Sequence, residues 1–60
     1  NNTIAYNNIS LNGMHGIWLL ESTNNKISNN NISNNGDGIL LEDSSNNIIY
    51  LNNFIDNYER

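Results

Sequence analysis

The sequence predicts an all-β solenoid, a right-handed parallel β-helix of about two and a half coils of 22–23 residues. Three observations carry this. The chain repeats itself: Asn1–Thr23 reads NNTIAYNNISLNGMHGIWLLEST, Asn24–Ser45 reads NNKISNNNISNNGDGILLEDSS, and Asn46 onward reads NNIIYLNNFIDN before the pattern stops. Its apolar residues come in clusters two or three wide rather than at helical spacing. Its 17 asparagines stand at fixed places between those clusters, against 9 isoleucines and 6 leucines, whereas a disordered Asn-rich tract has no such register.

The columns define the elements. Ile4, Ile27 and Ile49 align, as do Ile9, Ile32 and Phe54, and Gly16-Ile17-Trp18-Leu19 aligns with Gly38-Ile39-Leu40-Leu41. One gap near Met14 reconciles the first unit with the second. Ile favours a pleated surface, while Asn and Gly disfavour helix interiors. Each unit therefore offers about three short strands, in the second unit near Lys26–Ser28, Asn31–Ser33 and Gly38–Leu41. A lone coil cannot bury its apolar face. Stacking at about 4.8 Å pairs the strands in parallel and turns the Ile columns into inward ladders.

Asparagine is expected to serve the turns in two ways. It tolerates left-handed backbone, and stacked amides hydrogen-bond from coil to coil as an asparagine ladder. Asn7-Asn8, Asn30-Asn31 and Asn52-Asn53 are the aligned pairs, and Asn8 and Asn31 are placed in the ladder. Gly13, Gly16, Gly36 and Gly38 are expected to add permissive backbone positions.

Composition narrows function. Lys26 and Arg60 face six acids, for a formal net charge of −4. Nucleic acid and anionic membranes need clustered cations, which this chain lacks. No apolar run approaches the roughly 20 residues of a membrane span, and no signal peptide is visible. There is no cysteine, hence no disulfide and no thiolate metal site. Sixty residues form one domain of marginal stability. The domain reading is a partial β-helix over residues 1–60, with coils at 1–23, 24–45 and 46–60, cut from a longer solenoid. The expected partners are adjacent coils of the same parent chain, or further copies meeting through bare coil ends.

The recurring NNxI, NN-I, GI-L and SS elements resemble the NosD-like right-handed β-helix repeat proteins of bacteria and archaea, part of the wider pectate-lyase-like solenoid class. The likeness covers nearly the whole chain. It implies a secreted, periplasmic or cell-surface protein, with copper delivery in the family's background. It also implies kinship with carbohydrate-binding and sugar-cleaving β-helices, including lyases, hydrolases and epimerases. Fold alone selects none of these.

The candidate site residues each have a plainer alternative. Met14 and His15 are the soft-ligand pair that could meet copper, yet a complete site needs more donors, and a small bulge before Gly16 explains the same residues. His15 aligns with Asp37, one coil apart, close enough for a charge-assisted hydrogen bond. Glu21 aligns with Asp43, near Glu42 and Asp37. Oxygen ligands suit calcium, but the glycine-rich nonapeptide of calcium-binding β-rolls is missing, and a solvated acidic edge is the simpler reading. Trp18 alternates outward between Ile17 and Leu19. There it can stack on a sugar ring of a polysaccharide or glycan, or pack against a neighbouring segment. Ile48, Tyr50 and Tyr58 break the Asn pattern and mark either cover by further chain or a protein contact. Asn1, Asn8 and Asn31 begin N-x-[ST] triplets, which so Asn-rich a chain produces by chance. No nucleophile–His–acid set appears. The expected role is a scaffold with a glycan-binding flank; part of a carbohydrate-active enzyme and a copper-handling protein are the alternatives.

Overall fold

The computed structural model describes residues 1–59. Eight strands follow one another: β1 (Thr3–Ala5), β2 (Asn8–Ser10), β3 (His15–Leu20), β4 (Lys26–Ser28), β5 (Asn31–Ser33), β6 (Asp37–Glu42), β7 (Ile48–Tyr50) and β8 (Asn53–Ile55). They form three parallel sheets, ordered β1-β4-β7, β2-β5-β8 and β3-β6. Each strand thus pairs with the strand three places on, which is the topology of a parallel β-helix. The two short strands of the second unit lie where the repeat puts them. The long one runs Asp37–Glu42, a residue beyond the expected span at each end.

Register follows the sequence columns. Ile4 pairs with Ile27 and Ile27 with Ile49; Ile9 pairs with Ile32 and Ile32 with Phe54. Ile27 and Ile32, with a coil on either side, are 0% exposed. With Ile17 and Leu19 they form the core, against which Ile4, Ile9 and Ile39 pack.

The corners divide the two asparagine roles between adjacent residues. At each corner of the middle coil a left-handed residue comes first: Asn24, Asn29, Asn34 and Asp43. The next residue, Asn25, Asn30, Asn35 or Ser44, sends its side chain to the neighbouring coils. Asn30 Oδ1 accepts from the Asn7 backbone N–H at 2.9 Å, and Asn30 Nδ2 donates to the Ile4 carbonyl at 3.0 Å. Asn52 repeats this one coil on, accepting from the Asn30 N–H at 2.9 Å and donating to the Ile27 carbonyl at 3.0 Å. Among the described residues every buried side-chain nitrogen and oxygen has a partner, so the polar corners bury without penalty.

Two expectations are corrected. Asn8 and Asn31 are not the corner ladder. They open β2 and β5 on the exposed side, and their amides meet only at 3.4 Å; a strand's first side chain points away from the corner its predecessor turns. Nor do the glycines supply left-handed backbone, since none has positive φ, while Tyr6, Leu11 and Leu51 do. Close approach is what two of the glycines permit. A Cβ on Gly36 would collide with the carbonyl oxygens of Met14 and Gly13, and one on Gly16 would stand 2.6 Å from the Gly38 carbonyl oxygen. The extra residue of the first unit is the bulge at Gly13-Met14, which overhangs Gly36. Asn12 lies opposite Asn35, a spacing of 23, whereas His15 pairs with Asp37, a spacing of 22.

Candidate functional site

The chemistry-bearing side chains collect on the outer face of β3 and β6. Strict alternation would put His15 and Trp18, three residues apart, on opposite faces. The strand bends between them. The Cβ position of Gly16 lies 2.9 Å from the amide nitrogen of the corner residue Asn35, so Gly16 faces inward, and Ile17 after it is buried too. Two inward residues in succession bring His15 and Trp18 to the same outer face, with ring centroids 5.4 Å apart and planes tilted by 56°. Trp18 is 51% exposed between buried Ile17 and Leu19 and pairs with Leu40 of the next coil, as the sequence columns require.

His15 Nδ1 lies 2.7 Å from Asp37 Oδ2, and both side chains are mostly covered. With Nδ1 donating to the carboxylate, the ring's acceptor is Nε2. The column continues in the third coil, where Glu59 bridges to Asp37. Met14 precedes the strand on the bulge and is largely exposed.

This donor set gives a copper ion one imidazole nitrogen and one thioether. Transition-metal sites close with three or four ligands, and the described residues hold no group of three or more His, Cys, Asp or Glu that could bind a metal. Met14 and His15 alone offer two donors, fewer than a closed centre needs. The calcium candidates fall elsewhere. Glu21 and Asp43 occupy the left-handed corner positions, with φ of 49° and 51°, directly before the ladder residues Ser22 and Ser44. The Ser22–Ser44 rung was not expected from the sequence, although the Ser-Thr and Ser-Ser pairs closing the first two units carry its signal.

A separate groove of about 340 Å³ crosses the coils beside β1, β4 and β7, where Thr3, Lys26 and Ile48 form its outward row with Asn24 and Asn46. It lies on a different sheet from Trp18. Ile48, Tyr50 and Tyr58 are exposed. Among the described residues no helix is long and apolar enough to cross a membrane.

No curated protein and no solved structure matches the chain. A family model described as "Periplasmic copper-binding protein (NosD)" matches residues 1–60. With its repeat, its parallel coils and its asparagine ladders, the chain belongs to the NosD family of periplasmic copper-binding β-helix proteins.

Proposed function

We propose that this chain works as a β-helix scaffold within a copper-handling periplasmic protein, and that the outer face of β3 and β6 is where it meets copper. The observation that carries this is the family match over residues 1–60. The geometry supports a modest part in it. Asp37 fixes the imidazole of His15, as second-shell carboxylates do for metal-bound histidines, while the exposed Met14 adds a soft sulfur. Two donors suit transient contact or a share in a larger shell.

The test is a titration of the chain with Cu(II), and separately with Cu(I) under reductant, followed by NMR. Paramagnetic broadening centred on His15, lost in His15→Ala, and a Cu(I) shift of the Met14 methyl support the reading. Broadening spread over the carboxylates, with His15 no more affected than Glu21 or Asp56, would overturn it.

A second reading rests on Trp18. An indole half exposed beside an imidazole on a regular flank suits stacking on a sugar ring, and would fit an extracellular or cell-surface parent as well as a periplasmic one. A glycan-array screen with Trp18→Ala as control decides it. Binding that the variant loses supports a saccharide-recognising flank; a folded chain that binds no glycan leaves only scaffold and copper.

A further inference from the structure

One corner column keeps asparagine where the fold does not ask for it. A corner uses a left-handed residue followed by a residue that bonds to the neighbouring coils. The left-handed place varies at three of the four corners: Tyr6, Asn29 and Leu51 at one, Leu11, Asn34 and Asp56 at the next, Glu21 and Asp43 at another. At the corner that opens each unit it is Asn1, Asn24 and Asn46. The second place at that corner serves the stack: Asn25 Oδ1 accepts from the Asn2 N–H at 3.0 Å, and Asn47 Oδ1 accepts from the Asn25 N–H at 2.8 Å. Asn24 and Asn46 turn the chain with φ of 59° and 58°. Among the described residues their exposed amides have no partner in the chain, and both line the groove beside β1, β4 and β7.

Lys26 stands in the same groove, between Thr3 and Ile48 in strand register. It is the one lysine of the sequence, and among the described residues the one ion pair is His15–Asp37, so six acids leave Lys26 without a carboxylate partner. No acidic residue lines the groove, although Glu21 and Asp43 hold the corner before it. Each coil contributes the same two positions, the opening asparagine and the residue two places on. The groove therefore runs along the flank of the stack and does not depend on where the stack begins or stops. The middle coil, with a neighbour on either side, supplies both Asn24 and Lys26.

We propose that this groove binds an oligosaccharide that carries a carboxylate on only some of its sugars, with Lys26 on the carboxylate and Asn24 and Asn46 on the hydroxyls. An amide both donates and accepts, as a sugar hydroxyl does, and the ammonium adds a charge-assisted bond to one carboxylate. The outward Ile48 offers an apolar surface to the C–H face of a ring. Rungs repeating at about 4.8 Å along the stack suit a linear polymer better than a compact ion, and about 340 Å³ is the size of a ligand cleft. Charge sets the selectivity. Across these coils the groove holds one cation, so a second carboxylate on the adjoining sugar would face Thr3 or Ile48 with nothing to neutralise it. The net charge of −4 penalises every additional negative group. The site lies on a different sheet from Trp18 and His15, so it stands apart from both the copper and the indole readings.

The test is an NMR titration in EDTA with a hyaluronan tetrasaccharide, in which glucuronate alternates with N-acetylglucosamine. Its carboxyl-reduced form is the neutral comparator and trigalacturonate the fully charged one. Saturable shifts should centre on the side chains of Asn24, Lys26 and Asn46. Lys26→Gln, an exposed change that leaves the core alone, should weaken binding several-fold. Asn24→Gly, which keeps the left-handed corner while removing the amide, should weaken it too. The carboxyl-reduced form and trigalacturonate should each bind several-fold more weakly than the tetrasaccharide, and Trp18→Ala should bind as the wild-type chain does. Four results would each overturn the proposal. One is the absence of any saturable shift in this groove. Another is equal binding of the carboxyl-reduced form or of trigalacturonate. A third is binding that Trp18→Ala abolishes, which would place the sugar on the β3–β6 flank. The last is binding that appears only when calcium replaces EDTA, which would place it on the acids of the neighbouring corner.

Discussion

Asn30 Oδ1 accepts two hydrogen bonds from Asn7, from its backbone N–H at 2.9 Å and from its Nδ2 at 3.1 Å. In the other direction the Asn30 Nδ2 holds the Ile4 carbonyl and Asn52 Oδ1. One side chain, 2% exposed, thus ties three successive coils together. An asparagine in such a place is worth more than its own bonds, because removing it leaves partly buried backbone groups without their partner.

Asn30→Ala should therefore destabilise the chain by about 2–4 kcal/mol, since the Asn7 N–H and the Ile4 carbonyl both lose their partner. That is a large share of what so small a domain possesses. Asn30→Asp keeps the acceptor oxygen but loses the donor to Ile4 and buries a charge, so it should be at least as harmful. Asn31→Ala, one residue along on the exposed side, should change little. Urea denaturation followed by circular dichroism compares the three. Equal midpoints for Asn30→Ala and Asn31→Ala would refute the division of roles at the corner.

The left-handed residues yield a stabilising counterpart. Tyr6, Leu11 and Leu51 have φ of 60°, 61° and 56°, where the middle coil has Asn29 and Asn34 at the matching corners. A bulky side chain in this region costs about 1–2 kcal/mol, which asparagine largely escapes. Leu11→Asn and Tyr6→Asn should each raise stability by roughly 0.5–1 kcal/mol, and because both side chains are highly exposed little packing is lost in exchange. The expected signature is a higher urea midpoint with an unchanged slope. A lower midpoint would mean that these side chains make contacts their exposure does not suggest.

The coil period, the strand positions and the inward Ile columns were legible in the sequence because each is a pattern that the repeat restates. The corner assignment was harder. In the second unit Asn29, Asn30 and Asn31 are identical residues in three different roles: left-handed turn, ladder and strand start. Comparison between units separates the first of these. Tyr6, Asn29 and Leu51 vary, while Asn7, Asn30 and Asn52 do not, so the variable residue is the one that only turns the chain. The candidate site was read in part. Alignment put His15 over Asp37, and alternation put Trp18 outside. That His15 and Trp18 share a face depends on the bend at Gly16-Ile17, which ideal alternation does not contain.

The His15–Asp37 pair should be measurable as a coupling. At 2.7 Å and with both side chains mostly covered, it is a charge-assisted contact between adjacent coils. A double-mutant cycle with His15→Ala and Asp37→Ala should give a coupling energy of about 0.5–3 kcal/mol. If the two losses simply add, the pair contributes nothing to holding the coils together, and its geometry is free to serve ligand contact alone.

The bulge gives the most specific prediction. The Asp37 N–H donates to the Met14 carbonyl at 2.6 Å and the Gly36 N–H to the Asn12 carbonyl at 3.2 Å, so the chain at Gly36 is drawn tightly under the inserted residue. An added methyl at Gly36 meets backbone oxygens of Met14 and Gly13, which cannot rotate away as a side chain would. Gly36→Ala should cost about 1–3 kcal/mol, the usual range for overpacking. Deleting Gly13 shortens the first coil to the 22-residue spacing of the second and removes the overhang. In that background Gly36→Ala should be nearly neutral, as its column-mate Tyr58 shows that a side chain fits where no bulge lies above. Melting temperatures of the wild-type chain, the two single variants and the combination test this, with strong non-additivity expected because the changes share one contact. An additive result would mean that Gly36 is required for something other than room beneath Gly13-Met14.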